Sequence, residues 1–300
     1  MDKLFIANQF EQLQDYICDR VEKIDGLASF QEDKWQREEG GGGRTRIVED
    51  GNVIEKGGVN FSTVHGPVSD LMRKQLGLDG KEFFATGVSI VLHPFNPHVP
   101  IIHMNVRYFE MDTGVYWFGG GIDLTPHYIV PQQAALFHEG LKKVCDRFNN
   151  DAYTSYKNWA DDYFFIPHRS ETRGVGGIFF DHLDAKSGNS KEEIFDFCIA
   201  LGRLFPEVYE EQVALGKNKT YGPEELKWRN IRRGRYVEFN LVHDRGTKFG
   251  LLTGGRTESI LMSLPKEANW FYNNSPELNS LEAETLQMLK KGINWLGFKE

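Results

Sequence analysis

Apolar residues recur at helical spacing from the start of the chain. Phe10, Leu13, Ile17, Val21 and Ile24 fall on one stripe, which predicts an amphipathic helix over the first ~25 residues. Trp35 and the run Gly40-Gly41-Gly42-Gly43, followed by Arg44-Thr45-Arg46, come next, ahead of a probable strand. Four glycines suit a flexible linker or a close backbone approach to a ligand. They lack the lysine or glycine spacing of a nucleotide loop. From Thr86 to Asp123 the period changes to two. Val88, Ile90 and Leu92 alternate with Ser89, Val91 and His93. After a turn with Pro94, Pro97 and Pro100, Ile102, Met104, Val106 and Tyr108 alternate with His103, Asn105, Arg107 and Phe109. So short a connection predicts an antiparallel pair whose polar faces present Ser89, His93, His103, Asn105 and Arg107 to one region.

A third strand is expected from Gly114 to Gly119, ending in Gly119-Gly120-Gly121 and delivering Asp123. Helical patterns cover roughly Pro131–Phe148, Asn150–Tyr163 and Lys191–Leu215, with a strand at Gly176–Asp181 between the last two. Arg235–Asp244 alternates as a strand would, with Glu238, Asn240 and Asp244 opposite Val237, Phe239 and Leu241. Leu251–Leu264 reads as a strand pair broken at Gly254-Gly255. A closing helix spans about Ser280 to Leu296, its stripe formed by Leu281, Thr285, Leu289, Ile293 and Leu296. Hairpins, then helices, then hairpins are not βαβ alternation. The expectation is one α+β domain over 1–300, a large antiparallel β-sheet flanked by α-helices.

The net charge of −8 disfavours a general nucleic-acid binder, so an anionic ligand would need a local basic pocket. Cys18, Cys145 and Cys198 are widely spaced in apolar helical patterns, which predicts buried, reduced thiols. No apolar run reaches the ~20 residues of a membrane span, and Met1–Phe5 lacks a signal-peptide layout; a cytoplasmic location is the expectation.

The chemistry-bearing residues gather beside glycines: Asn105, Arg107, Asp123, Asp244-Arg245-Gly246 and Gly254-Gly255-Arg256. Buried charges are costly unless paired or used on a ligand, so two readings stand: a site for an anionic organic ligand, or an internal network that holds the sheet. Arg232, Arg233, Arg235 and Arg245 are either a solvated face or a device for carboxylate capture. Among His65, His93, His103, His138 and His168 there is no tight metal-ligand spacing. His103, on the face of Asn105 and Arg107, is the best candidate acid/base. Nucleophile-elbow, dinucleotide and flavin fingerprints are absent from the sequence.

Long blocks of the chain resemble one family. They are Gly40–Gly43 with Arg44, Lys56-Gly-Gly-Val-Asn-Phe-Ser-Thr-Val-His65, His103-Met-Asn-Val-Arg107, Trp117-Phe-Gly-Gly-Gly-Ile-Asp123, Arg233-Gly-Arg-Tyr-Val-Glu-Phe-Asn-Leu-Val-His-Asp244 and Thr253-Gly-Gly-Arg256-Thr-Glu-Ser. From about Asn8 to Trp295 the sequence is similar to oxygen-dependent coproporphyrinogen III oxidases, and Gly255-Arg256 looks like their bacterial branch. The resemblance implies a homodimer of subunits with helices on both sides of the sheet. It implies oxidative decarboxylation of two propionates of coproporphyrinogen III to vinyl groups, with O2 as co-substrate and no organic cofactor. His103 would be the proton donor, and Asp244, then Asp123, the carboxylate near the pyrrole N–H groups. Ser89, Asn105, Val106, Arg107, Gly254, Gly255 and Arg256 would contact substrate. A divalent metal would be held by His93, His103, His138 and His168. A porphyrin carrier and a metal-dependent oxygenase of another aromatic are the rival classes.

Overall fold

The computed structural model describes residues 1–76, 80–252 and 254–298. Helix α1 (Lys3–Asp25) leads into strands β1 (Gln31–Gln36), β2 (Gly41–Glu49) and β3 (Ile54–Pro67). The short α2 (Asp70–Leu76), β4 (Glu82–Pro94), β5 (Ile101–Met111) and β6 (Tyr116–Thr125) follow. Helices α3 (Pro131–Phe148) and α4 (Ala152–Tyr163) come next. The two-residue strands β7 (Phe165–Ile166) and β8 (Glu171–Thr172) precede β9 (Gly177–Leu183). The chain closes with α5 (Lys191–Gly216), α6 (Pro223–Glu238), a π-helical turn at Phe239–His243, α7 (Arg245–Leu252), α8 (Thr257–Leu261) and α9 (Leu281–Met288).

Among the described residues, β1-β2-β3-β4-β5-β6-β9 form a seven-stranded antiparallel sheet. The alternation read from β4 and β5 holds. Val88, Ile90, Leu92, Ile102, Met104 and Val106 all point into the main core, where α1, α3 and α5 cover them. All five residues of the predicted α1 stripe are buried there. The three cysteines are buried and free. Asp25, the last residue of α1, accepts backbone N–H groups of Leu27, Ala28, Asn52, Val53 and Ile54, which ties the helix end to the β2–β3 turn.

The other face is covered by the chain after residue 222. Tyr236 of α6 packs on Val91 and Ile101, Phe249 of α7 packs on the cluster of Val68, Met72, Phe83 and Met111, and Ser259 of α8 bonds Thr45 at 2.7 Å. Helices therefore lie on both sides of an α+β sheet.

Several expectations need correction. The glycines of Gly40–Gly43 do not form a flexible linker. Gly40 turns at φ +127°, and the rest enter β2, where a Cβ on Gly43 would sit 2.5 Å from the Trp35 indole. The third strand does not end at its glycines; β6 runs through them, pairing Gly119, Gly120 and Gly121 with Arg107, Val106 and Asn105. Arg235–Asp244 is helical. Its alternation also fits i, i+3, i+4 spacing, and Pro223-Glu224-Glu225 starts a helix that simply continues, with the Gly222 N–H donated to Glu225 at 2.8 Å. Leu251–Leu264 is likewise the end of α7 and then α8, joined by a turn with Gly254 at φ +73°; Thr253 lies outside the described residues. The closing helix stops at Met288, and Gly292, at φ +78°, bends the remainder. Leu281 is exposed, whereas Thr285 and Leu289 are buried as expected.

Candidate active site

Register decides what shares the second face. One row across the sheet reads Trp35, Gly43, Ser62, Gly87, Arg107, Gly119; the next reads Asp33, Thr45, Asn60, Ser89, Asn105, Gly121, Phe179; a third runs Ile47, Gly58, Val91, His103, Asp123, Gly177. The first two rows are mostly glycine and small polar residues, so the floor is low in side-chain bulk. Helix α7, which follows Asp244, buries none of its own residues fully. Such a floor leaves room for a broad ligand and offers hydrogen bonds to it.

His103 stands on the floor with its side chain 16% exposed. Its Nδ1 lies 2.8 Å from Asp123 Oδ1, directly opposite across the β5–β6 ladder. Asp123 is in turn held by Arg173, with Nε at 3.0 Å from Oδ2 and Nη2 at 2.6 Å from Oδ1. Burial alone would raise the Asp123 pKa. The Arg173 charge and the His103 bond outweigh it and keep the carboxylate below its ordinary range. Asp123 is only 1% exposed, with Oδ1 on His103 and both oxygens on Arg173. An imidazole held through Nδ1 turns Nε2 towards the open face. Arg173 escaped the sequence reading because it comes from the loop after β8, fifty residues beyond Asp123.

Arg107 reaches along the same face. Its Nη1 donates to Asn105 Oδ1 at 2.9 Å and its Nη2 pairs with Asp181 at 2.9 Å, while the side chain remains 40% exposed. Gly119 makes this placement possible: a Cβ there would meet Asp181 Oδ1 at 2.5 Å and Arg107 Nη2 at 2.8 Å. Asp244 hangs from the covering segment. It accepts the Tyr163 hydroxyl at 2.8 Å and the Thr247 N–H at 2.7 Å, at the start of α7. Tyr163 stacks on Phe179, next to Gly121 in the floor row. Burial, then the charge and hydrogen bond of Asp244, raise the Tyr163 pKa. Ser89 and Asn105 are half-buried neighbours on the floor.

The remaining candidates lie elsewhere. Arg256 pairs with Asp33 on the edge strand, four strand spacings or about 19 Å from Arg107. Gly254 and Gly255 are exposed and serve the α7–α8 turn, where Gly255 N–H bonds Gly250 O at 2.8 Å. Val106 points its side chain into the main core, away from this face. The arginine cluster is neither a solvated face nor a capture device. Arg232 and Arg233 are buried and paired with Glu171 and Glu55, and Arg235 bonds Glu238; only Arg245 is exposed, over the Tyr163 ring.

The four histidines do not form one ligand set. His93 is buried and bonds Ser263 O at 2.8 Å, and His138 is buried between the Tyr153 hydroxyl and Val175 O. His168 lies at the surface against His243 and Glu238. Burial depresses the His93 and His138 pKa values, the latter to about 4. Among the described residues no three His, Cys, Asp or Glu side chains converge to hold a metal ion. The residues therefore do not fit the four-histidine metal.

Fold and site together define an α+β protein with a glycine-rich polar sheet face carrying a histidine bonded to a buried aspartate and a part-exposed arginine. The coproporphyrinogen III oxidase family profile matches residues 5–295. The oxygen-dependent coproporphyrinogen-III oxidase, mitochondrial, of Homo sapiens is 48% identical over 299 residues, covering 95% of this chain and 65% of that protein. Its counterparts in Rattus norvegicus and Mus musculus are each 47% identical, with 67% of their length covered. The chain thus spans about two thirds of these curated relatives, and it belongs to the coproporphyrinogen III oxidase family.

Proposed function

We propose that the chain converts coproporphyrinogen III to protoporphyrinogen IX, turning two propionates into vinyl groups with O2 as oxidant, in haem biosynthesis. The reading rests on family membership and on one geometric fact: His103, oriented by Asp123, faces the same small-residue floor as the Arg107 guanidinium. Arg107 holds a propionate by charge-assisted bonds from its exposed edge. Ser89 and Asn105 hydrogen-bond the tetrapyrrole, and His103 Nε2 handles the proton at the reacting side chain. Asp244, on the opposite wall, places a carboxylate near the pyrrole N–H groups, and Arg256 takes a propionate at the far edge.

Each turnover of a propionic acid arm breaks the bond to its carboxyl carbon and releases CO2. Two electrons and two protons leave the arm and reduce O2 to H2O2. The electrons come from the substrate, so the scheme invokes no organic cofactor and routes no step through a metal. Purified protein supplied with coproporphyrinogen III in aerated buffer should take up O2 and release two CO2 per tetrapyrrole. Tight binding without a vinyl product would make it a carrier instead.

The chain acts as a single unit over 1–300, of the bacterial branch by its Gly255-Arg256 form, in a thiol-reducing, cytoplasmic setting suited to its free cysteines. It works as a homodimer, supported by exposed Leu241, Val242 and Leu252 on the covering segment. No described helix is long and apolar enough to cross a membrane.

A further inference from the structure

Arg173 is a fully buried cation. Nε and Nη2 grip Asp123, Nη1 donates to Asn240 Oδ1 at 2.8 Å, and Nη2 also lies 3.4 Å from His103 Nδ1, longer than its 2.6 Å bond to Asp123 Oδ1. Its guanidinium is boxed by the rings of Phe164, Tyr236 and Phe239, at 4.4, 4.7 and 4.6 Å from their centroids. Two of those rings, and Asn240, come from the end of α6 and the π-helical turn. That turn is closed by an i to i+5 bond from Asp244 N–H to Phe239 O at 2.9 Å. Insertions of this kind are commonly kept at functional sites. Here the wide turn sets Phe239 and Asn240 on Arg173 and Asp244 on Tyr163 at once. An ion pair so buried is weak evidence of stabilisation, because apolar residues of similar volume often fold as well. Its geometry accounts for something else: the lone pair of Asp123 that meets His103.

We propose that Arg173 is a positioning residue, whose guanidinium fixes the Asp123 carboxylate so that Oδ1 takes the Nδ1 proton of His103 and leaves the Nε2 lone pair facing the cleft. This rests on His103 acting on substrate as proposed above. It makes the covering segment a partner in that orientation, since Asn240 and the aromatic box hold Arg173 in register. A change in the π-turn would then be felt at His103, on the sheet below.

Nitrogen-15 NMR of histidine-labelled protein, with His103 assigned by His103→Gln, reads the tautomer without substrate. Above neutral pH the unsubstituted protein should show His103 as a single Nδ1–H tautomer. Arg173→Lys keeps a cation but loses the planar two-point grip. It should mix the tautomers and lower kcat about 100-fold with KM within a few-fold. The double variant Arg173→Met with Asp123→Asn strands no buried charge and should be no slower than Asp123→Asn alone. A folded Arg173→Lys protein with an unchanged tautomer and kcat would overturn the proposal, as would a double variant far slower than Asp123→Asn. Should no form turn over coproporphyrinogen, the NMR arm still decides the role of Arg173 separately from the function.

Discussion

At the residue scale, the site is built from side chains that each do two things. Asp244 accepts the N–H of Thr247 at the start of α7 and the hydroxyl of Tyr163. Asparagine starts a helix about as well as aspartate. Asp244→Asn should therefore change stability by less than ~0.5 kcal/mol while cutting turnover by orders of magnitude. Thermal melting and oxygen uptake measured on the same sample check this; unaltered turnover removes Asp244 from the chemistry. Gly119 acts by what it lacks. Gly119→Ala should displace the Arg107–Asp181 pair and raise KM for coproporphyrinogen about 10-fold, the loss of one charge-assisted contact. A KM equal to that of the unsubstituted chain would show that Arg107 does not bind a propionate. His103 was legible as an acid/base candidate because its strand alternates cleanly. Its true partners were less so: Asp123 follows from hairpin register, but Arg173 arrives from a distant loop that no local pattern connects to it.

At the scale of elements, the same local signals succeeded and failed for definable reasons. Strands β4 and β5 carry a wholly apolar central row on one face and a mixed, more polar one on the other, so burial fixed both their type and their register. In 235–244 the alternation was accidental. Both faces of the segment find partners, since Tyr236 and Phe239 pack around Arg173 while Glu238 meets Arg169 and Arg235, and period two carries no information there. The glycines of β6 looked like a strand end because glycine weakens strands, yet neighbouring side chains such as Phe180 fill the missing volume. One joint between elements invites a direct test. Asp25 serves five N–H groups with one carboxylate. Burial works against its charge, but those bonds win and depress its pKa. Its stabilising contribution is thus complete above the unfolded value near 4 and disappears as pH falls through the lower folded value. Asp25→Ala should cost about 3 kcal/mol in urea unfolding at neutral pH, and the gap between the two proteins should narrow in acid. An equal gap at both pH values would mean the charge contributes nothing.

At the scale of the whole molecule, one sheet separates two worlds: an apolar core beneath α1, α3 and α5, and a polar, glycine-rich face beneath the chain after residue 222. Exposed Leu241, Val242 and Leu252 on that cover give the proposed dimer a surface. Sedimentation should find two chains per particle, and Val242→Asp with Leu252→Asp should release monomers; an unchanged mass would place the interface elsewhere. By itself the sequence determined the α+β class, the first helix, the central hairpin, three long helices and the polar face bearing Ser89, His103, Asn105 and Arg107. These are local facts, written in periodicity and burial, and one hairpin carries most of them. Only the tertiary structure decided that Arg173 completes the His103–Asp123 chain, that Val106 and the Arg232–Arg233 pair are buried scaffold, that the four histidines stay apart, and that 235–252 and 257–261 are helical. Each of those depends on which distant segments meet, and the energy of a buried charge is set by its partners in space rather than its neighbours in the chain.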